Sequence, residues 1–326
     1  MSPARFTRIF GESALPAHLR GGVVAIGNFD GVHRGHQAVL ASAGRIARER
    51  GLPLLALTFE PHPRTLFQPG RPVPRLTPAP LKARLLRALG FSAVVEQDFT
   101  RDFAALTAAE FVSAVLVRRL GAAHVVAGFD FGFGARRGGD PAYLRAAGEA
   151  EGFGVTIIEA HGDEGGVVSS SRIREDLAAG DVAGAAGLLG WRWTVEGEIG
   201  HGRKLGRTLG YPTANMALPF PALLQHGIYA VRLRRAGGAL HGGVASYGRR
   251  PTFDDGAPLF ETFLFDFSGD LYGETVSVSI FRRLRGEEKF ADVAALVARM
   301  DEDAAEGRAL LAAAEPLSDL DRAIAF

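Results

Sequence analysis

The chain has 326 residues, 47% of them hydrophobic, with a formal net charge of +1 and no cysteine. That length suits about two ordinary domains, each with its own core. The composition excludes disulfides, thiolate metal sites and a cysteine nucleophile, and the near-neutral charge gives no electrostatic case for a nucleic-acid partner.

Gly22 to Ile26 is a short apolar run rich in β-branched residues, as in a strand buried in a parallel sheet. It leads into GNFDGVHRGH, residues 27–36, and then into Gln37 to Arg50, where Val39, Ala43, Ile46 and Ala47 recur at helical spacing. His33 and His36 are therefore expected where a helix begins, beside unpaired N–H groups and the positive end of its dipole. That describes an anion site suited to phosphate. Two histidines three apart are often accidental. Here Gly27, Gly31 and Gly35 let a ligand approach the backbone, and the motif follows a buried strand.

Further strands are expected at Leu52 to Phe59, Ala93 to Val95, Val125-Val126 and Val155 to Ile158, and helices at Leu81 to Leu89 and Pro141 to Glu151. Thr107-Ala-Ala-Glu110 has the form of a capping box opening a helix to Leu120. This alternation predicts a doubly wound α/β domain with a parallel sheet, whose ligands lie off the carboxyl ends of its strands. In Val168-Ser169-Ser170-Ser171-Arg172-Ile173-Arg174, serines cap a further helix and Arg174 falls one turn in. Alone this is an ordinary cap. With the histidine motif it describes a cradle for a triphosphate.

After Trp191 the texture changes. Trp191 to Ile199, Ile228 to Leu233, Phe260 to Phe267 and Thr275 to Phe281 read as strands joined by glycine turns, a small antiparallel β-barrel. Val293, Leu296, Val297 and Met300 predict a long C-terminal helix over Phe290 to Ala314. The domains are expected at 1–185 and 186–326.

GxFDGVHxGH with a later SSSxIR resembles the nucleotidyltransferases that move AMP from ATP to a phosphate. TFEPHP at 58–63 and FDFGFG at 129–134 resemble the FMN adenylyltransferase half of bacterial bifunctional riboflavin kinase/FAD synthetases. The resemblance implies in-line attack by the FMN phosphate on the α-phosphorus, with release of pyrophosphate. His33 and His36 then donate to the α-phosphate, while Ser170, Ser171 and Arg174 hold the leaving group. Gly27, Phe29, Asp30, Gly31 and Gly35 belong to the ATP site. Phe59, Pro61 and Phe131 line a flavin slot, with His62 and Asp130 at its polar edge. The family carries Arg where Gly132 stands.

Residues 200–215 offer glycines, Arg203, Lys204 and Arg207 but no Walker ending, and by themselves suit a basic solvated hairpin. The closing Pro212-Thr213-Ala214-Asn215 resembles the signature of riboflavin kinases. There Gly206 and Arg207 cover ATP, and Thr213 and Asn215 give oxygens to Mg²⁺ and phosphate. Glu261 stands at the family's catalytic glutamate, able to take the ribityl hydroxyl proton. The family has Asn at the place of Ser246 and His at that of Phe263.

The expected function is therefore riboflavin plus ATP to FMN, then FMN plus ATP to FAD, with small-molecule partners, no nucleic acid and at most a transient homo-oligomer. No apolar run approaches the roughly 20 residues that span a bilayer, and MSPARFTRIFGES lacks a signal-peptide core, so a cytoplasmic protein with no membrane partner is expected. Two alternatives remain. The barrel is only a flavin-binding or regulatory module, or it is an oligonucleotide-binding fold, which the acidic, apolar strand FETFLFDF disfavours.

Overall fold

The computed structural model describes residues 6–163, 165–201, 209–218, 223–248 and 258–326. The chain divides into two compact units between Ser170 and Ser171.

The first unit contains β1 (Thr7–Phe10), β2 (Val23–Ile26), α1 (Arg34–Arg50), β3 (Leu54–Glu60), α2 (Pro63–Phe67), α3 (Ala79–Ala88) and β4 (Ala93–Asp98). There follow α4 (Arg101–Ala105), α5 (Ala108–Glu110), β5 (His124–Gly128), α6 (Pro141–Glu151) and β6 (Gly154–Ile158), then the small hairpin of β7 (Gly162–Asp163) and β8 (Gly166–Val167). The six-stranded sheet runs β1-β4-β3-β2-β5-β6 and every pair is parallel. All four residues of β2 are buried, as both faces of a parallel sheet require. The connections run one way from β2 through β3 to β4 and the other way at β5. The carboxyl ends of β2 and β5 therefore flank the switch point where such sheets bind ligands.

The expected capping box is present: Thr107 N–H donates to Glu110 Oε2 at 2.8 Å and Glu110 N–H to Thr107 Oγ1 at 3.2 Å. Beyond it the chain continues as a π-helical segment, Phe111–Arg119.

The second unit holds α7 (Ser170–Ala179, bar its first residue), α8 (Val182–Leu189), β9 (Thr194–Gly200), β10 (Thr213–Ala217), β11 (Gly227–Arg234), β12 (Leu240–Gly248), β13 (Leu259–Leu264), β14 (Thr275–Arg285), α9 (Val293–Ala313) and α10 (Asp319–Ala325). Its strands close an antiparallel barrel in the order β10-β13-β12-β11-β14-β9. An outer cluster of Ala230, Val244, Phe265 and Phe281 packs with Leu311 of α9 and Ala325 of α10. The expected boundary at 185/186 falls within α8.

Two strands differ from expectation for identifiable reasons. β9 starts at Thr194 and not at Trp191, because the Arg192 N–H donates to Asp321 Oδ1 at 2.7 Å instead of to a ladder carbonyl. β13 stops at Leu264. Two residues on, Asp266 turns left-handed (φ 52°), and its carboxylate is taken up by Arg308 at 2.6 and 2.9 Å. The sequence reading had no strand at β1, β10 or β12. β12 is written LHGGVASYG, where glycines interrupt the strand signal.

Candidate functional sites

In the first unit three motifs leave the carboxyl ends of adjacent strands. TFEPHP ends β3, the histidine motif follows β2, and FDFGFG follows β5. The turn after β2 is held in an uncommon shape, with Phe29, Gly31 and Val32 all left-handed (φ 47°, 94° and 42°). It ends at His33, the N-cap of α1, whose Nδ1 accepts the His36 N–H at 3.3 Å. Accepting at Nδ1 puts the proton of a neutral ring on Nε2, which makes that nitrogen a donor. The His36 ring stacks on His33 with centroids 3.6 Å apart, and the edge contact to Phe29 is 5.5 Å. Gly35 keeps this turn tight: a Cβ would lie 3.2 Å from the His33 ring, which would have to shift by a few tenths of an ångström, and 3.5 Å from the Val168 carbonyl.

That carbonyl belongs to the second anion motif, and Ser170 at the start of α7 donates its hydroxyl to the Asp30 carbonyl at 2.8 Å. The two stretches expected to form one cradle therefore meet at Gly35, Val168, Asp30 and Ser170. Ser171 and Arg174 follow along α7, Arg174 one turn beyond Ser170.

Asp30 is 1% exposed, and its carboxylate faces inward. Oδ1 accepts the N–H groups of Leu76 and Thr77, each at 3.0 Å, and Arg75 Nε lies at 3.4 Å. The Thr77 hydroxyl accepts the Gly31 N–H at 2.8 Å. Arg75 also grips Glu60 bidentately at 2.6 and 2.8 Å, and Lys82 Nζ reaches Glu60 Oε1 at 2.7 Å. Burial opposes ionisation of Glu60, but Arg75 and Lys82 hold its carboxyl down to about 2. Burial, then His33, then Lys82 push His36 well below the ordinary histidine range. The sequence reading missed Arg75, Thr77 and Lys82. The available signal was a lysine in the apolar stripe with Leu85 and Leu86.

Of the flavin residues, Phe59 is buried against Phe99 and Phe103, and Phe131 stacks on Phe133 at 5.4 Å, all on one apolar cluster. Pro61 and Asp130 are exposed. His62 is buried and caps α2 by accepting the Arg64 N–H at Nδ1, 3.2 Å. Beside Gly132 lies Arg137, whose Nε would be 2.5 Å from an added Cβ and whose Nη2 donates to the Asp130 carbonyl at 3.1 Å. A guanidinium thus occupies the space over Gly132, supplied from five residues along the chain.

In the second unit Asn215, Glu261 and Ser246 lie in one row across β10, β13 and β12. Thr213, Phe263 and Val244 form the next row on the same face, two residues along. Asn215 is buried, with Nδ2 donating to the Thr213 carbonyl at 3.2 Å. Phe263 packs on Tyr211 at 4.6 Å and on the outer cluster. Tyr211 in turn donates its hydroxyl to Asp301 of α9. Burial, with Asp301 second, pushes that phenol up to about 12. Gly206 and Arg207 lie outside the described residues, as do Arg203 and Lys204.

Two family models match the chain in succession, FAD synthetase over residues 15–172 and riboflavin kinase over 189–311. It is similar to bifunctional riboflavin kinase/FMN adenylyltransferases along nearly its whole length. That of Escherichia coli K12 is 38% identical over 296 residues, covering 91% of this chain and 95% of the relative. That of Pseudomonas fluorescens is 42% identical over 298 residues, with the same coverage. A solved structure described as a macrolide-efflux protein from Streptococcus pneumoniae is 33% identical with a TM-score of 0.81, covering 91% of this chain and 97% of that one. Among the described residues no helix is long and apolar enough to cross a membrane. The histidine motif at the switch point of one unit, the row of Asn215, Glu261 and Ser246 on the barrel of the other and these relatives agree: the chain belongs to the family of bifunctional riboflavin kinase/FMN adenylyltransferases.

Proposed function

We propose that the two activities of this family are housed separately, adenylyl transfer from ATP to FMN in residues 1–185 and phosphorylation of riboflavin in residues 186–326. The observation that carries this is the partition of side chains: His33 and His36 stand at the switch point of the α/β unit, whereas Asn215 and Glu261 are cross-strand partners on the barrel.

In the first centre the FMN phosphate attacks the α-phosphorus in line, and no covalent nucleophile is needed. His33 and His36 donate to the α-phosphate oxygens as charge gathers there. Ser170, Ser171 and Arg174 receive the pyrophosphate, and the phenylalanine cluster takes the flavin ring. In the second centre Glu261 accepts the hydroxyl proton of riboflavin as the γ-phosphoryl transfers. Thr213 and Asn215, two apart on β10, present hard oxygen donors to one face and suit Mg²⁺, which neutralises phosphate charge when bound. The absence of cysteine fits a cytoplasmic enzyme.

The test is reciprocal. His36→Ala should lower FAD formation from FMN by about 10² to 10³-fold while riboflavin phosphorylation survives. Glu261→Gln should do the reverse. Joint loss of both activities in either folded variant rejects separate centres.

A further inference from the structure

Lys82 leaves 1% of its surface exposed, and reaches in from α3, which packs on β4. All three donors of its ammonium have acceptors: Glu60 Oε1 at 2.7 Å, Thr58 Oγ1 at 2.8 Å and the Asn28 carbonyl at 3.1 Å. Burying an ammonium is unfavourable, and an apolar side chain in the same stripe often serves stability as well or better. Stability alone is therefore a poor account of this lysine.

Its acceptors lie on two different elements. Thr58 and Glu60 are two apart near the end of β3, whereas Asn28 opens the turn that ends at His33. Thr58 Oγ1 also donates to the Asn28 carbonyl at 3.1 Å, so that oxygen is gripped twice. On the far side of Phe29, Asp30 and Gly31 are gripped by residues 75–77 through the Asp30 carboxylate and the Thr77 hydroxyl. The intervening backbone is one that local preference does not hold. A left-handed β-branched residue such as Val32 is disfavoured by about 1–2 kcal/mol.

We propose that Lys82 is a positioning residue for adenylyl transfer: bridging the end of β3 to the Asn28 carbonyl, it fixes the strained turn that delivers His33 and His36. This rests on the reading that the two histidines serve that reaction.

The charge of Lys82 gives the proposal a second handle. His36 faces the His33 ring and the Phe29 edge, with Asp30, Glu60, Arg75 and Lys82 as the charges of the network behind them. Those four charges balance. Removing Lys82 leaves a net negative charge, which favours protonation of His36.

The experiment measures both activities of the full-length enzyme for Lys82→Met, Thr58→Val and His36→Ala. Lys82→Met should lower kcat for FMN adenylylation about 10²-fold, as misplaced transition-state donors do, with KM for ATP and FMN within about threefold. Its acid limb should move to higher pH, and riboflavin phosphorylation should be unchanged. Thr58→Val removes one of the two grips on Asn28 and one of the three acceptors of the Lys82 ammonium while keeping the charge itself, and should lower the same kcat about tenfold. If Lys82→Met does not fold, Thr58→Val decides. Wild-type kcat in the folded variants, or loss appearing only in KM, overturns the proposal while His36→Ala remains inactive. An active His36→Ala overturns instead the reading beneath it.

Discussion

The imidazole rings of His33 and His36 lie face to face, with centroids 3.6 Å apart and planes 20° from parallel. Burial holds His36 well below 6.5, and a His33 ring so close adds to this by disfavouring a second positive charge. The sign follows directly. A histidine whose folded pKa is lowered stays neutral as pH falls through 6.5, whereas the unfolded chain takes up the proton there. FMN adenylylation should thus keep its kcat/KM through pH 6.5, with any limb from His36 lying lower. The first unit should meanwhile begin to lose stability. A pH profile from 5 to 8, on wild type and His36→Asn, checks this. An inflection near 6.5 that disappears in His36→Asn contradicts it.

Glu60 predicts a second acid effect. Its carboxyl titrates near 2 in the fold against an ordinary 4.5, so the stability it contributes is fully present above about 4.5. That contribution, on the order of 3 kcal/mol, is lost as pH falls from there toward 2. Urea unfolding of the first unit between pH 6 and 3 should show this loss, and Glu60→Gln should flatten it. An equally steep profile in Glu60→Gln rules the carboxylate out.

In the barrel, Glu261→Gln should abolish riboflavin phosphorylation and leave adenylylation untouched. Phe263 shares the outer face with Glu261 but spends its ring on Tyr211 and the outer cluster. Phe263→His should raise the kinase rate by restoring a polar neighbour, while lowering stability by about 1–2 kcal/mol through lost packing. An unchanged or lower rate in a folded Phe263→His means that Phe263 is a packing residue only.

Asp303 of α9 is 3% exposed and holds Arg285 at 2.7 and 2.9 Å, joining the helix to β14. Glu288, at 3.7 Å from Arg285, is a poor substitute. Asp303→Ala should therefore destabilise the second unit by about 3 kcal/mol, and Asp303→Asn by less. Denaturant unfolding measures both, and a midpoint equal to wild type in Asp303→Ala shows the pair contributes nothing net.

The last prediction concerns where the kinase half can be cut. Ile173 and Leu177 of α7 are fully buried, and the Leu177 carbonyl accepts the Gln225 N–H at 3.2 Å. A fragment of residues 171–326 should fold cooperatively. One of residues 186–326, which lacks α7 and the first turn of α8, should be weaker by about 3 kcal/mol from uncovered apolar contacts. Equal stability of the two fragments favours the boundary at 185/186.

What the sequence determined by itself is what depends on neighbours along the chain. Glycines beside histidines, serines before a helix and the Thr107–Glu110 box act within a few residues, so their spacing announces them. The placing of His33 and His36 at the start of α1 and the order of an α/β domain before a barrel were legible for that reason. The tertiary structure decided what depends on partners far apart. Lys82 becomes meaningful only when α3 brings it to Asn28 and Thr58, and Arg75 only beside Glu60 and Asp30. The limits of β9 were set by Asp321, at the other end of the second unit. The row of Asn215, Glu261 and Ser246 was fixed by strand register, and the space over Gly132 was filled by Arg137. Local propensity cannot encode such pairings, because a side chain's hydrogen-bond and charge partners are chosen by folding, not by position in the chain.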